Sequence, residues 1–185
     1  MGAPHILLIT GPAGIGKSTL SWAIGDRLAA LGIAHAAIET DELDRVFPKP
    51  APEALDLIEP GTRDVSAINL AALWRTYRML GHDKLILSGV MLHLAADIEW
   101  IGAAIPGASI TVIALRASEA ALVERLDRRE AGPGKDAQTQ RSLRQARQLA
   151  GEAGGTRLVI ETDAHAPADL ADEVIARVSW LTAPR

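Results

Sequence analysis

Residues 5–19 read HILLITGPAGIGKST, and the rest of the chain is organised around them. Residues 6–10 form a short apolar run rich in strand formers. The pattern G-x-x-x-x-G-K-S/T then runs from Gly11 to Ser18, and a helical pattern begins at once. This order of strand, glycine-rich loop and helix is what a phosphate-binding loop requires. We therefore expect the loop to hold the phosphates of a nucleoside triphosphate.

The residue types in residues 11–18, here called the phosphate loop, suit a chain of phosphates. Small residues let backbone N–H groups approach an anion closely, and the start of a helix adds unpaired donors and a positive dipole end. The Lys17 ammonium can reach the β- and γ-phosphates, and the Ser18 hydroxyl can ligate Mg²⁺. The alternative is an ordinary glycine turn that happens to carry a lysine. The expected cofactors are ATP and Mg²⁺, and the expected nucleotide-binding residues are Gly11, Ala13, Gly14, Ile15, Gly16, Lys17, Ser18 and Thr19.

The composition is that of an ordinary globular protein. With 185 residues, 48% of them apolar and 23% charged, we expect one domain that spans residues 1–185. A net charge of −4 argues against a nucleic-acid partner. The absence of cysteine excludes disulfides, thiolate metal sites and cysteine nucleophiles.

Nothing in the sequence suggests a membrane or secreted protein. No apolar run approaches the ~20 residues that cross a bilayer, and the phosphate loop begins too early for a cleavable signal peptide. We expect a cytoplasmic protein with no membrane partner, either a monomer or a homodimer.

Apolar runs alternate with helix-period stretches along the whole chain. Strands are predicted at about 5–10, 34–39, 84–88, 109–115 and 157–161. Helices are predicted at about 16–31, 52–58, 64–80, 93–105, 118–130, 136–151 and 167–181. This alternation predicts a five-stranded parallel sheet between two helical layers, an α/β/α fold. Ligands of such folds bind at the carboxyl ends of the strands.

The helix predicted over 64–80 carries apolar side chains at helical spacing. They are Leu70, Leu73, Trp74, Tyr77 and Leu80. An i, i+3, i+4, i+7 stripe of this kind predicts the face that packs on the core.

Acidic residues follow the second predicted strand. Glu39, Asp41 and Asp44 lie within six residues of one another. A carboxylate at such a strand end can orient an acceptor hydroxyl, take its proton, or hold Mg²⁺ through water. We assign a catalytic and a metal role to Asp41, a role that Glu39 or Asp44 can share. The alternative is that Asp41 merely caps a short turn.

The third predicted strand lacks the acid that many phosphate-loop ATPases place at its end. It finishes in Ser88-Gly89, and no Asp or Glu follows before Asp97. The metal is therefore expected at Ser18 and Asp41, together with phosphates and water.

An arginine-rich stretch at about 125–145, here called the lid segment, follows the fourth strand. Arg125 and Arg129 are four apart and share a helix face, and the sequence Ala-Gly-Pro-Gly at 131–134 breaks the helix. Two helices joined by a flexible tip are typical of a lid over a nucleotide, and guanidinium groups pair with phosphate oxygens in two contacts. The alternative is a solvated surface on which neighbouring acids pair with the arginines.

The residues at about 45–80, here called the acceptor segment, are expected to enclose a second substrate. They begin with several prolines and contain Arg63, a candidate for gripping an anionic acceptor.

With these motifs in place, the chain resembles the small phosphate-loop kinases. The resemblance is to the group of gluconate kinase, shikimate kinase, adenylylsulfate kinase and chloramphenicol phosphotransferase. It rests on the phosphate loop, Glu39-x-Asp41, Arg125-Leu126-x-x-Arg129, and the stretch Val159-Ile160-Glu161-Thr162. Glu39 and Glu161 stand where that group carries aspartates, and no acceptor motif of gluconate kinase is present in 45–65.

The resemblance implies a sheet order of 2-3-1-4-5 and an acceptor-activating carboxylate at Asp41. It also implies that Arg125 and Arg129 lie at the phosphates. With Lys17 these are the expected catalytic residues of an ATP- and Mg²⁺-dependent phosphotransferase that acts on a small hydroxylated metabolite. The alternatives are a nucleoside or nucleotide kinase, or a nucleotide-binding regulatory module with vestigial chemistry.

Overall fold

Strands and helices alternate along residues 2–62, 64–129, 132–151 and 157–183, which are the residues that the structure, a computed structural model, describes. The strands are β1 (His5–Thr10), β2 (Ala36–Glu39), β3 (Lys84–Gly89), β4 (Ser109–Arg116) and β5 (Arg157–Glu161). The helices are α1 (Lys17–Ala30), α2 (Pro52–Ile58), α3 (Val65–Met79), α4 (Leu94–Ala104), α5 (Glu119–Arg129), α6 (Lys135–Gly151) and α7 (Pro167–Arg177). Short 3-10 turns cover Thr40–Glu42 and Ser179–Leu181.

The five strands form one parallel sheet in the order β2-β3-β1-β4-β5. This order and the α/β class confirm the prediction. In the register, Thr10 at the end of β1 lies beside Gly89 of β3 and Ala114 of β4, and Glu39 of β2 lies beside Ser88 of β3. The carboxyl ends of the central strands therefore meet at one edge, directly below the phosphate loop.

Each face of the sheet has its own apolar core, because side chains alternate along a strand. Leu7 and Ile9 of β1 pack with α1 and α7, whereas Ile6 and Leu8 pack with α3 and α4. All four side chains are fully buried, and each contributes about 1.5–3 kcal/mol through the area it removes from water. The sheet is thus covered on both sides, as its continuous apolar strands predict.

The predicted helix at about 167–181 ends early. Helix α7 stops at Arg177, Val178 is non-helical, and the 3-10 turn follows. Trp180 in that turn stacks on His5 with ring centroids 5.0 Å apart, and its indole N–H donates to Oγ1 of Thr111 at 3.0 Å. Because Trp180 makes these contacts, the chain leaves the helical path after Arg177.

The predicted apolar stripe of α3 is only partly buried. Leu70 and Trp74 are buried, whereas Leu73 is 40% and Leu80 is 71% exposed. At about 100° per residue, Trp74 lies near Leu70 around the helix, while Leu73 lies to one side of the stripe. Leu80 lies beyond the last helical turn. None of the helices in the described ranges is long and apolar enough to span a bilayer.

Candidate functional site

The phosphate loop is built from a backbone that only glycine adopts easily. Gly14 and Gly16 have positive φ values of 80° and 107°. A Cβ atom at Gly14 would lie 2.5 Å from Cδ2 of Leu126, so the loop packs directly against α5. Helix α1 begins at Lys17 without a side-chain cap at Gly16. The N–H groups of its first turn are therefore suited to an anion.

The mouth of the loop opens into a polar cavity of about 180 Å³. Its lining brings together seven residues predicted from the sequence: Ala13, Gly14, Lys17, Ser18, Glu39, Asp41 and Arg129. The remaining lining residues are Ser88, Gly89, Val90 and Gln138. Cations, carboxylates and hydroxyls thus converge at the carboxyl edge of the sheet, where such folds bind ligands.

Asp41 reaches this polar cavity because β2 passes directly into a 3-10 turn. The turn lies so close to β3 that a Cβ atom on Gly89 would overlap Oγ1 of Thr40 and lie 3.1 Å from Cβ of Thr40. Leu43 at the end of the turn is buried, and its carbonyl accepts a hydrogen bond from Nδ2 of Asn69 at 2.7 Å. A glycine at position 89 and an anchor on α3 therefore fix the position of Asp41.

Lys17 is the most electrostatically perturbed group of the site. Burial lowers the pKa of Lys17 from 10.5 to about 8, the positive charge of Arg129 lowers it as well, and the charges of Asp41 and Glu39 oppose both. The Nζ atom donates to the Pro12 carbonyl at 3.0 Å. A desolvated ammonium gains most from an incoming anion, so this environment favours polyphosphate binding.

Arg125 lies on the other side of the phosphate loop from the polar cavity. Its guanidinium donates to the carbonyl of Ile15 at 3.2 Å, and to both Oγ1 and the carbonyl of Thr162 at 2.7 Å. It lines a second cavity of about 340 Å³, here called the base-side cavity. The other lining residues are Gly14, Ile15, Gly16, Thr19, Leu20, Leu115, Thr162, His165, Pro167 and Leu170. Arg125 thus ties the loop to the end of β5, while Arg129 lies with Lys17.

A third cavity of about 400 Å³ is larger and mostly apolar. It lies between the underside of the phosphate loop and α6, with Met91, Leu149 and Ala146 in its walls. Lys17, Ser18, Asp41 and Arg129 are absent from its lining. Size alone therefore does not identify the site; the presence of these four residues in the lining of the polar cavity does.

Three polar residues join the site without having been predicted. Ser88 and Gln138 line the polar cavity, and Gln145 accepts a hydrogen bond from the backbone N–H of Ala13 at 3.0 Å. Gln138 and Gln145 are seven apart on α6 and so lie within about 20° on one helix face. The seven-residue spacing of Gln138 and Gln145 is the signal that could have found them.

Several other charged residues near the site have partners elsewhere. Asp44 pairs with Lys49 and is absent from the cavity lining, so Glu39 is the acid that joins Asp41 there. Arg128 of α5 pairs with Glu124, and Arg147 of α6 pairs with Glu119; both pairs are exposed and stabilise little. Arg63 and residues 130 and 131 lie outside the described residues.

The oxygens of the polar cavity suit a hard cation. Within the described ranges, no three His, Cys, Asp or Glu side chains cluster as a metal cage. Ser18, Glu39 and Asp41 nevertheless provide one hydroxyl and two carboxylates. Mg²⁺ binds through one or two such groups and completes its shell with phosphates and water, so this donor set fits Mg²⁺.

No family model matches the chain, and neither does any curated protein. Solved structures do match it over nearly the whole length. A gluconokinase from Sinorhizobium meliloti 1021 is 23% identical, with 98% of this chain and 95% of that chain covered and a TM-score of 0.59. The tunicamycin resistance protein of Deinococcus radiodurans is 21% identical, with 95% of both chains covered and a TM-score of 0.60.

A third similar structure is the APS kinase of Mycobacterium tuberculosis in complex with AMPPNP and APS. It is 19% identical, with 95% of this chain and 98% of that chain covered and a TM-score of 0.54. These matches confirm the resemblance at the level of the fold. The chain has the three-layer fold of the small phosphate-loop kinases.

Proposed function

We propose that this protein is a kinase that transfers the γ-phosphoryl group of ATP, with Mg²⁺, to a hydroxyl group of a small metabolite. One observation carries the proposal: Lys17, Ser18, Asp41 and Arg129 line one polar cavity at the mouth of the phosphate loop. Phosphoryl transfer requires little covalent chemistry from a protein. It requires groups that position two substrates and stabilise charge, and these are the groups present.

The triphosphate would lie in the phosphate loop with its γ-phosphate in the polar cavity. The loop N–H groups and the ammonium of Lys17 then hold the β- and γ-phosphates. Arg129 lines the cavity from α5 and can pair with oxygens of the transferring group. The positive guanidinium of Arg129 can stabilise the negative charge that builds up during transfer.

Asp41 would receive the acceptor. Asp41 is exposed at the rim of the polar cavity, on the 3-10 turn that the close approach of Thr40 to Gly89 holds in place. A carboxylate there can accept the hydrogen bond of the acceptor hydroxyl and aim its oxygen at the γ-phosphate for in-line attack. The acceptor segment that follows would cover the second substrate.

Ser18 would hold the metal through its hydroxyl, and Glu39 or Asp41 would hold it through water. Mg²⁺ bound there neutralises charge on the phosphates. The base-side cavity would take the nucleoside part of ATP, between Arg125 and the residues that follow β5. The hydrogen bonds of Arg125 to Ile15 and Thr162 hold the two walls of that cavity together.

The test is ADP release in the presence of ATP, Mg²⁺ and a panel of sugars, hydroxy acids, nucleosides and antibiotics. We expect one acceptor class to stimulate ADP release from wild type and not from Lys17→Met. If only nucleosides stimulate ADP release, the acceptor is a nucleoside and not another small metabolite. A rise in melting temperature with ATP, without turnover on any acceptor, would overturn the kinase proposal in favour of a regulatory nucleotide-binding module.

A further inference from the structure

The cavity of about 400 Å³ between the phosphate loop and α6, here called the apolar cavity, takes no part in the proposed kinase reaction. Its walls include Ile15, Met91, Leu94, Ala146 and Leu149. Protein interiors are close-packed, and they contain few voids larger than a water molecule. Pockets of about 300–1,000 Å³ with mainly apolar walls and a few polar groups are typical of small-molecule sites. The size and lining of this cavity therefore indicate a ligand with an apolar body.

One end of the apolar cavity carries two opposite charges side by side. Arg116 ends β4 and Glu161 ends β5, the two residues are neighbours in the strand register, and both line the cavity. Neighbours in a parallel register project to the same face of the sheet. Within the described ranges, neither side chain forms a hydrogen bond or an ion pair. A cation and an anion are thus available to a ligand at this end.

Asp163 adds a further acceptor to the lining. Its Oδ2 atom accepts a hydrogen bond from the backbone N–H of Ser118 at 3.0 Å, and this bond is the main reason why the pKa of Asp163 is lowered. Its Oδ1 atom is buried and accepts no hydrogen bond from the described residues. With Arg157, the charged residues of the lining are two arginines and two carboxylates, so a ligand without net charge suits the cavity.

We propose that the apolar cavity binds a free amino acid with a large apolar side chain. That side chain would fill the apolar part of the cavity. The carboxylate of the ligand would pair with Arg116, and its ammonium group would pair with Glu161 and Asp163. A ligand with only one charge would leave one of these partners unpaired, and a ligand with no charge would leave all of them unpaired. An amino acid satisfies both signs.

One hydrogen bond connects this cavity to the phosphate loop. Pro12 and Ala146 line the cavity, and their neighbours Ala13 and Gln145 are joined by the hydrogen bond from the Ala13 N–H to the Gln145 side chain. A ligand that packs against both walls therefore holds α6 on the loop and keeps this bond in place. A phosphate oxygen that needs the same N–H then meets a competitor. The bound amino acid should therefore weaken ATP binding.

The first experiment is titration calorimetry of the ligand-free protein with L-leucine, L-phenylalanine and L-tryptophan, and with glycine as the control without an apolar body. The tightest of the three is then compared with its amine and its acid, each of which lacks one charge. We expect the amino acid to bind about tenfold more tightly than either, because each loses one charged pairing. Equal binding of the amine or the acid, tight binding of glycine, or no binding of the three amino acids would overturn the proposal.

Substitutions locate the site. Ala146→Trp should abolish binding by filling the cavity, whereas Ala137→Trp adds the same side chain at an exposed position of α6 outside the cavity lining and should not. Two further variants add no volume. Arg116→Gln should weaken the amino acid about tenfold and leave its amine unchanged, and Glu161→Gln should weaken the amino acid and leave its acid unchanged. Binding that survives all of these changes lies elsewhere and overturns the proposal.

The connection to the phosphate loop is tested by titrating ATP with and without a saturating amount of the amino acid. We expect ATP to bind about five- to tenfold more weakly to wild type when the amino acid is present. Gln145→Ala should still bind the amino acid and should lose this effect. If the effect persists in Gln145→Ala, the two ligands overlap directly, and the apolar cavity is part of the ATP site. That result would overturn the proposal.

Failure of the proposed kinase function gives a different result. If wild type binds no ATP, the proposed function fails, while the titrations with amino acids still decide whether the apolar cavity is a site. If wild type binds ATP and none of the amino acids, the amino-acid site fails alone.

Discussion

The ammonium group of Lys17 donates a hydrogen bond to the main-chain carbonyl of Pro12, five residues earlier, at 3.0 Å. The lysine is thus held by its own loop, in surroundings that lower its pKa to about 8 mainly through burial. A bound triphosphate would offer this ammonium a charged partner in place of a neutral carbonyl. The ligand-free loop therefore carries a destabilised cation.

The first prediction concerns stability against pH. Because the pKa of Lys17 is about 8 in the folded protein and 10.5 in the unfolded chain, the unfolded chain binds more protons between these values. The free energy of unfolding should therefore rise from pH 8 towards pH 10, by roughly 2–3 kcal/mol from this residue. Urea unfolding at pH 7.5 and 9.5 gives the change in unfolding free energy for wild type and for Lys17→Met. The difference between the two changes is the contribution of Lys17. Parallel changes in the two proteins would contradict the lowered pKa.

The second prediction separates turnover from binding at Asp41. Asp41→Asn keeps the shape of the side chain and removes the charge that orients and deprotonates the acceptor. We expect kcat to fall by about 10²–10⁴ and the Kd of ATP with Mg²⁺ to stay nearly constant. Glu42→Gln is the control, since Glu42 lies on the same turn and pairs with Arg45 at 3.0 Å. Loss of ATP binding in Asp41→Asn, or normal turnover, would refute the assignment.

The third prediction contrasts the two arginines of α5. Arg129→Ala should lower kcat by about 10³, because the side chain lines the polar cavity, and should change stability little because the residue is exposed. Arg125→Ala should instead lower the free energy of unfolding by about 1–3 kcal/mol, because Ile15 and Thr162 lose a donor. Arg128→Ala, which removes an exposed pair, is the control for both. Equal effects of Arg125→Ala and Arg129→Ala on kcat and stability would contradict this division.

The fourth prediction tests the close approach of Gly89 to Thr40. Gly89→Ala should destabilise the protein by about 1–3 kcal/mol, since its new Cβ atom overlaps the hydroxyl of Thr40. The double variant Gly89→Ala/Thr40→Ala should recover part of this loss, because the overlapping oxygen is gone while the Cβ of residue 40 remains close. A double-mutant cycle of unfolding free energies measures the coupling. Strict additivity would show that the two residues do not meet.

The fold and more than half of the residues that line the polar cavity could be predicted, because their sequence signals are local. Hydrophobic runs, glycine turns and the phosphate-loop pattern are read from neighbouring residues. Asp41 could be placed near Lys17 because parallel strands end at the same edge of a sheet. The shared cavity of Lys17, Ser18, Asp41 and Arg129 agrees with that expectation; their chemical roles stay predictions.

The rest depends on packing that a sequence pattern does not encode. Arg125 and Arg129 share a helix face, yet one helical turn, about 5–6 Å, separates them along the axis. That offset is enough to place them on opposite sides of the phosphate loop. The early end of α7 follows from the stacking of Trp180 on a residue 175 positions away, His5.

The hydrogen bond between Ala13 and Gln145 links the phosphate loop to helix α6. Ala13 has a single N–H group, and the side chain of Gln145 already accepts from it. A phosphate oxygen that takes this donor must displace the amide and so release a tether between α6 and the loop. Nucleotide binding should therefore give α6 more freedom to move. Faster amide hydrogen exchange along α6 in the presence of nucleotide would show this.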